Sequence, residues 1–494
     1  MSVDAAGTSP WSWHRLLVEP RRHPSIRERP NAHWFAVAAV CIGALMGQLD
    51  ASIVTVALPS LQTSFHSSIG SVTWVALSYL VVLVATVTAF GRFADMWGRK
   101  LLYVYGFVIF IVASALCGLA PDLVALCGFR ALQAIGAAML QANSLAIIVL
   151  VVPGRSLGRA VGLQGTAQAI GLALGPSVGG LLLSAGGWRL IFLVNVPLGV
   201  FGAIAAIALV PRSQNLQQKA AFDWRGLGLF FPAVVAVLTA LSFGATEGWG
   251  SPIIIGLFVT AGLLATWFVR HERSDDQPML DLGLFRNRHF SAGITSGLGS
   301  YLVTFGVLLL IPFYLTRGLG FGAARAGVEL MALPLAFGLV APLAGRLADR
   351  VGARPLTVSG MALVTGGLLT LGTVRPGTPG LLLLLAAIGV GLGLFTSPNN
   401  ATIMGSAPPQ QVGMASGILN MSRGLGTALG LALTALLFTV SGGGGDSHVQ
   451  STHAFSVTAL ALAGVAGAAG VVAAFAPTGR RNGTGLTEPL SSLP

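Results

Sequence analysis

Fourteen apolar stretches of about membrane-crossing length follow one another along the chain, near 35–58, 71–90, 101–119, 123–150, 160–184, 190–210, 226–245, 252–270, 290–315, 326–345, 355–374, 380–403, 412–439 and 454–476. A helix of about 20 apolar residues spans the hydrocarbon core. In lipid no water is available to backbone N–H and C=O groups, so such a run satisfies them internally, as an α-helix. The expected fold is an all-α polytopic membrane protein with 14 transmembrane helices. Composition agrees: charged residues make up 9% of the chain, against about 25% in soluble domains. That excludes a soluble enzyme, a disordered chain and a disulfide scaffold. Gly is 66 of 494 residues, and small residues let membrane helices approach closely. Cys41, Cys117 and Cys127 fall inside apolar runs with no zinc or disulfide spacing, and read as small apolar fillers.

The charges sit in the loops, and they set the orientation. The stretch before the first run carries Arg15, Arg21, Arg22, Arg27 and Arg29, which predicts a cytoplasmic N-terminus. An even number of spans returns the C-terminus to the same side. On that layout 22 of the 28 Lys and Arg fall on the cytoplasmic side, four fall outside, and Arg130 and Arg423 lie within spans. The split follows the positive-inside rule and accounts for the net charge of +12 without a nucleic-acid partner.

Two loops repeat. Gly91-Arg92-Phe93-Ala94-Asp95-Met96-Trp97-Gly98-Arg99-Lys100 follows the second run, and Gly345-Arg346-Leu347-Ala348-Asp349-Arg350-Val351-Gly352-Ala353-Arg354 follows the tenth. The chain therefore reads as two parallel six-helix halves with a two-helix insertion, an architecture known among transporters. The expected divisions are a basic tail at 1–33, a first half at 34–210, an insertion with its loops at 211–289, a second half at 290–476 and a tail at 477–494.

Few polar side chains lie deep. A carboxylate within a span costs about 2.5–3.5 kcal/mol on insertion scales and marks a candidate functional group. Asp50 stands about 10 Å from the outer end of the first span, and Arg130 about 12 Å from the outer end of the fourth. Two readings stand for Asp50, a proton carrier and a permanently paired structural carboxylate. Arg130 is a partner at matching depth or a packing residue bonded to carbonyls. Arg423 lies near midplane of the thirteenth span. Glu329 opens the tenth, as a second proton site or an interfacial acid. Trp74, Tyr79, Gln133, Asn143, Asn195 and Arg423 are candidates for the wall of a weakly polar path. Gly171, Gly175 and Gly179 share one helix face with Pro176 and Gly180 beside them, a close-packing groove with an expected kink.

These segments together resemble the fourteen-span drug:proton antiporter group of the major facilitator superfamily. The loop Gly91-x-x-x-Asp95-x-x-Gly98-Arg99-Lys100 resembles the family signature. Leu49-Asp50-Ala51-Ser52-Ile53-Val54-Thr55-Val56-Ala57-Leu58-Pro59 resembles its first-span motif, although Ala51-Ser52 departs from the usual residues. Arg130-x-x-Gln133-x-x-Gly136 resembles the fourth-span motif, with Gln and Gly further apart than usual. Gly171-x-x-x-Gly175-Pro176-x-x-Gly179-Gly180 resembles the antiporter motif of span five, and Trp188-Arg189-x-Ile191-Phe192-x-x-Asn195 the entry to span six.

The resemblance implies proton-coupled export of amphipathic organic compounds or antibiotics across the cytoplasmic membrane by alternating access. It implies Asp50, Arg130 and Glu329 in proton coupling, and a conformational latch from Gly91, Asp95, Gly98, Arg99 and Asp349. In that latch Asp95 is expected at a helix N-terminus and glycines 91 and 98 in the turn. It implies no cofactor, no metal, a small-molecule substrate and a monomer. Export of an endogenous metabolite, siderophore or lipid is the alternative. No Gly-x-x-x-x-Gly-Lys-Ser/Thr loop is present for nucleotide binding, and no His-Glu-x-x-His for a metalloprotease.

Overall fold

The structure is a computed structural model that describes residue 19 and residues 31–213, 223–275, 278, 280–374, 377–408, 412–443 and 448–475. Most of both expected tails lies outside these residues. Fourteen helices are long and apolar enough to cross a membrane, and no strand occurs among the described residues.

The helices are α1 (Ala32–Phe65), α2 (Ile69–Trp97), α3 (Arg99–Gly118), α4 (Leu123–Val151) and α5 (Gly154–Gly186). α6 comes in two pieces, Arg189–Leu193 and Asn195–Leu209. The insertion is α7 (Trp224–Glu247) and α8 (Pro252–Ser274). α9 (Arg288–Phe313) opens the second half, and α10 is again in two pieces, Ala323–Leu330 and Ala332–Val351. α11 (Ala353–Val374), α12 (Thr378–Ser406), α13 (Val412–Phe438) and α14 (His448–Phe475) complete the bundle.

Local chemistry sets where the helices start, stop and break. Ser68, Asp122 and Asp223 accept hydrogen bonds from the backbone N–H of Ser71, Ala125 and Gly226, at 3.1, 2.8 and 2.7 Å, and so cap α2, α4 and α7. Gly98 and Gly352, with φ of 110° and 88°, end α2 and α10 in a conformation open to glycine. Both breaks stand four residues before a proline. Pro197 and Pro334 have no N–H for the carbonyls of Leu193 and Leu330, so the ladder parts there. The apolar run is continuous across each break, which hid both from the sequence.

The packing repeats with an offset of eight helices. In the first half α1 packs on α5, α2 on α4, and α3 on α4 and α6; in the second α9 packs on α13, α10 on α12, and α11 on α12 and α14. The seam between halves obeys the same symmetry, α2 against α13 and α5 against α10. This is the architecture of two parallel six-helix halves. α7 rests on both α2 and α13, so the insertion straddles the seam. α8 touches chiefly α7 and presents Ile253, Ile255, Phe258, Val259, Leu263 and Trp267 outward. An exposed apolar face of that size is stable against lipid, not water. The chain is a multi-pass membrane protein.

Candidate functional site

α1 carries Asp50 into the middle of the first half, where it is fully buried. Nη1 of Arg130 on α4 donates to Asp50 Oδ2 at 2.7 Å. Oδ1 accepts twice, from Asn195 Nδ2 at 2.8 Å and from Gln133 Nε2 at 3.1 Å. The amide of Gln133 also donates to Ser114 Oγ on α3 at 2.8 Å, and its carbonyl oxygen accepts from Arg130. Arg130 Nε donates to the Val75 carbonyl of α2 at 3.0 Å, and its guanidinium lies 4.2 Å from the centre of the Tyr79 ring. α4 and α6 thus bond the carboxylate directly, and α2 and α3 hold the Arg130 and Gln133 that do so.

The break in α6 places Asn195 at the start of the second piece, facing that carboxylate. Asp50, Arg130, Gln133, Ser114 and Asn195 are each at most 1% exposed. Burying an ion pair is favourable only when the geometry is good and the remaining donors and acceptors are filled. Here the carboxylate holds three donors. A proton on the carboxyl group would cancel its charge and turn one acceptor site into a donor, so the ion pair would weaken to a neutral-acceptor hydrogen bond.

Gln133, Asn195 and Tyr79, expected on the wall of a path, lie around Asp50 and Arg130. The amides of Gln133 and Asn195 hydrogen-bond to the charged pair, and Tyr79 meets Arg130 through the face of its ring. Asn143 is fully buried and donates to its own helix at Met139, with Oδ1 unpartnered among the described residues. Trp74 is half-buried, and its Nε1 has no hydrogen-bond partner among the described residues. Arg423 lies in the second half, its guanidinium 4.9 Å from the Tyr301 ring centre. Glu329 stands next to the break in α10 and is 9% exposed; Oε1 lies 3.6 Å from Arg325 Nε, and Oε2 is buried and unpartnered among the described residues.

The glycine face of α5 lies directly on α1. A methyl group built on Gly171 would strike the Leu45 carbonyl and come within 3.1 Å of Leu49 N. On Gly175 it would strike Ser52, and on Gly179 it would lie 2.8 Å from Ile53 Cγ1. α5 runs unbroken through Pro176. Beside the groove, Pro176 and Gly180 meet Gly327 of α10, so the same helix joins both halves at the end of the bundle away from the first loop.

The first repeated loop differs from expectation in two respects. α2 continues through Gly91, where an added methyl group would meet nothing, and the turn falls on Gly98 alone. Nothing between 91 and 97 breaks a helix. Asp95 lies in the last turn of α2 and not at the start of that helix, and its side chain and that of Asp349 lie outside the described residues.

The N-terminus of α3 is held by Glu19, a residue not singled out above. Glu19 Oε1 accepts from Leu101 N at 3.1 Å and from Ser213 Oγ at 2.7 Å, and Oε2 accepts from Ser213 N at 2.6 Å. Arg99 N donates to Ser213 Oγ at 2.8 Å, and buried Lys100 donates to the Ile207 carbonyl at 2.7 Å. A carboxylate at a helix N-terminus is favoured by the macrodipole and the free N–H groups. The only hint in the sequence was an acid within an arginine-rich stretch.

Comparison with known proteins bears on the fold and the kind of protein. The sequence model of the Major Facilitator Superfamily matches residues 40–333 and 293–489. Riboflavin transporter RibZ of Clostridioides difficile is 33% identical over 83% of this chain and 89% of its own. Multidrug resistance protein Stp of Mycobacterium tuberculosis is 34% identical over 80% and 74% respectively. The methylenomycin A resistance protein of Bacillus subtilis is 30% identical over 88% and 95%. The structure of a bacterial homologue of the human lysosomal transporter Spinster superposes with a TM-score of 0.66 at 16% identity, over 91% of this chain and 97% of that one. With its paired halves, repeated loops and relatives that include drug-resistance transporters, the chain belongs to the major facilitator superfamily, a family of transporters and not of enzymes.

Proposed function

We propose that the protein exports amphipathic organic compounds from the cytoplasm, drawing on inward proton flow, with both termini cytoplasmic and Asp50 as the proton carrier. The observation that carries this reading is the buried Asp50–Arg130 pair, held by α1 on one side and by α2, α3, α4 and α6 on the other. Protonation removes the charge that holds Arg130, so the neutral state favours a different arrangement of α1 against α4. A site loaded from one side in one arrangement and emptied to the other side in the second couples the proton to the rocking of the halves. α1 also lies in the α5 groove, so movement at Asp50 is passed directly to the helix that meets α10. Glu329, at that α5–α10 contact, is the second candidate proton site. Arg423 and Trp74 remain candidates for substrate contact.

The resistance proteins among the relatives favour foreign organic compounds. RibZ, named for riboflavin transport, favours a second reading, a transporter dedicated to one endogenous metabolite. Both are tested in inverted vesicles under an imposed proton gradient. A panel of cationic and neutral antibiotics, with riboflavin included, is added to wild type and to Asp50→Asn. Substrate-driven proton release in wild type that vanishes in the variant is expected. Release that survives Asp50→Asn removes the carboxylate from coupling, and a response to riboflavin alone selects the second reading.

A further inference from the structure

The inserted pair carries a cluster that the proposed proton coupling does not use. Asp223 stands just before α7. Its Oδ1 accepts from Gly226 N and lies 2.9 Å from Nε2 of His271, in the last turn of α8. The same Nε2 is 3.4 Å from Asp275 Oδ2. The ligand atoms of Asp223, His271 and Asp275 all lie within 4.8 Å of one another. Glu272 joins from the next position: Oε2 accepts from Leu280 N at 2.8 Å, while Oε1 is buried with no hydrogen-bond partner among the described residues. Asp223 Oδ2 is in the same condition. These two residues are 9% and 3% exposed. A methyl group built on Gly226 would collide with Asp223 Oδ2 and lie 2.7 Å from Glu272 Oε1, so both oxygens turn into one small space that glycine leaves open.

Two buried carboxylate oxygens facing one another repel unless they share a proton or a cation lies beside them. One imidazole with several carboxylates is a mixed nitrogen and oxygen donor set. That set suits zinc and other divalent transition metals better than calcium or magnesium, which take oxygen throughout. Separations of 2.9 and 3.4 Å match ligand atoms gathered about one ion at roughly 2.0–2.2 Å each.

We propose that Asp223, His271 and Asp275 bind a divalent transition-metal ion, zinc fitting best, with Glu272 supplying further buried negative charge beside it. The ion would pin the start of α7 to the end of α8 and hold the Leu280 segment through Glu272. It would brace the insertion where α7 lies across the seam, apart from the proton and substrate path.

The test uses the full chain purified in detergent, freed of its affinity tag and stripped with a chelator. After dialysis against zinc, elemental analysis should find about one zinc per chain. His271→Gln and Asp275→Asn should each weaken zinc binding by at least about tenfold. Zinc should raise the melting temperature of wild type and leave both variants unchanged. Zinc-edge X-ray absorption of wild type needs no variant, and should show one imidazole with oxygen ligands. Zinc-free wild type, equal zinc in wild type and both variants, or sulfur ligation would overturn the proposal; zinc-free protein would mean that the facing carboxylates share a proton instead.

Discussion

At the residue scale, the two members of the buried pair are not equivalent. Arginine stays charged in a protein, whereas a carboxylate can take up a proton and become neutral. Removing the carboxylate therefore strands a charge that has no other way out. Asp50→Asn should destabilise the protein by about 3–5 kcal/mol, more than Arg130→Met. The double variant should be more stable than Asp50→Asn alone, since it buries no charge there. Thermal melting of the four proteins in one detergent decides this; additive losses would mean that the two side chains are not coupled. Asp50 and Arg130 were legible because a charge inside an apolar run has few ordinary explanations. Their surroundings were less so. Gln133 shares α4 with Arg130, but Asn195 and Ser114 come from two further helices, and spacing within one helix says nothing of which others face it. Glu19 lies 82 residues from the backbone N–H it meets, beyond any local pattern.

At the element scale, the neighbours of each glycine rank its tolerance. On the α5 face, an alanine at 171 meets backbone of α1, which cannot turn aside, whereas an alanine at 179 meets the side chain of Ile53. Overpacking costs about 1–3 kcal/mol, and the rigid contact lies at the high end. Gly171→Ala should thus lose most transport and lower the melting temperature, and Gly179→Ala should keep most of both. Equal activities in the vesicle assay would mean that this face is not a tight seal. A second effect belongs to α3. Glu19→Gln retains size but loses the charge at the helix N-terminus, with an expected loss of about 0.5–2 kcal/mol. Limited proteolysis near residue 19 should quicken in the variant, and unchanged cleavage would mean that the carboxylate does not fasten this stretch. The helices themselves were legible from apolar length, because lipid leaves the backbone no alternative to helix. The breaks in α6 and α10 were not, since a proline inside a continuous apolar run changes only one or two hydrogen bonds.

At the scale of the whole molecule, the two repeated loops foretold the two halves, and the packing repeats with the same eight-helix offset. Which end of the seam closes was not legible, because it depends on contacts between helices far apart in sequence. Gly327 supplies that information. A methyl group there would strike the Pro176 carbonyl and come within 3.2 Å of Gly180 Cα, so α5 and α10 meet backbone to backbone at that end. A larger residue wedges them apart. Gly327→Leu should therefore favour the state open at that end and stop the cycle, since a substituent of this size cannot be accommodated in the closed one. In a background lacking Cys41, Cys117 and Cys127, spin labels on Ser184→Cys and Arg325→Cys sit on exposed positions of α5 and α10 flanking this contact. Their distance distribution should lengthen with Gly327→Leu and stay short with glycine, while Gly327→Ala falls between. A longer distance with lost transport would make this contact a gate of the cycle; an unchanged distance with transport intact would make it a passive surface, and would move the gate to the α2–α13 side of the seam.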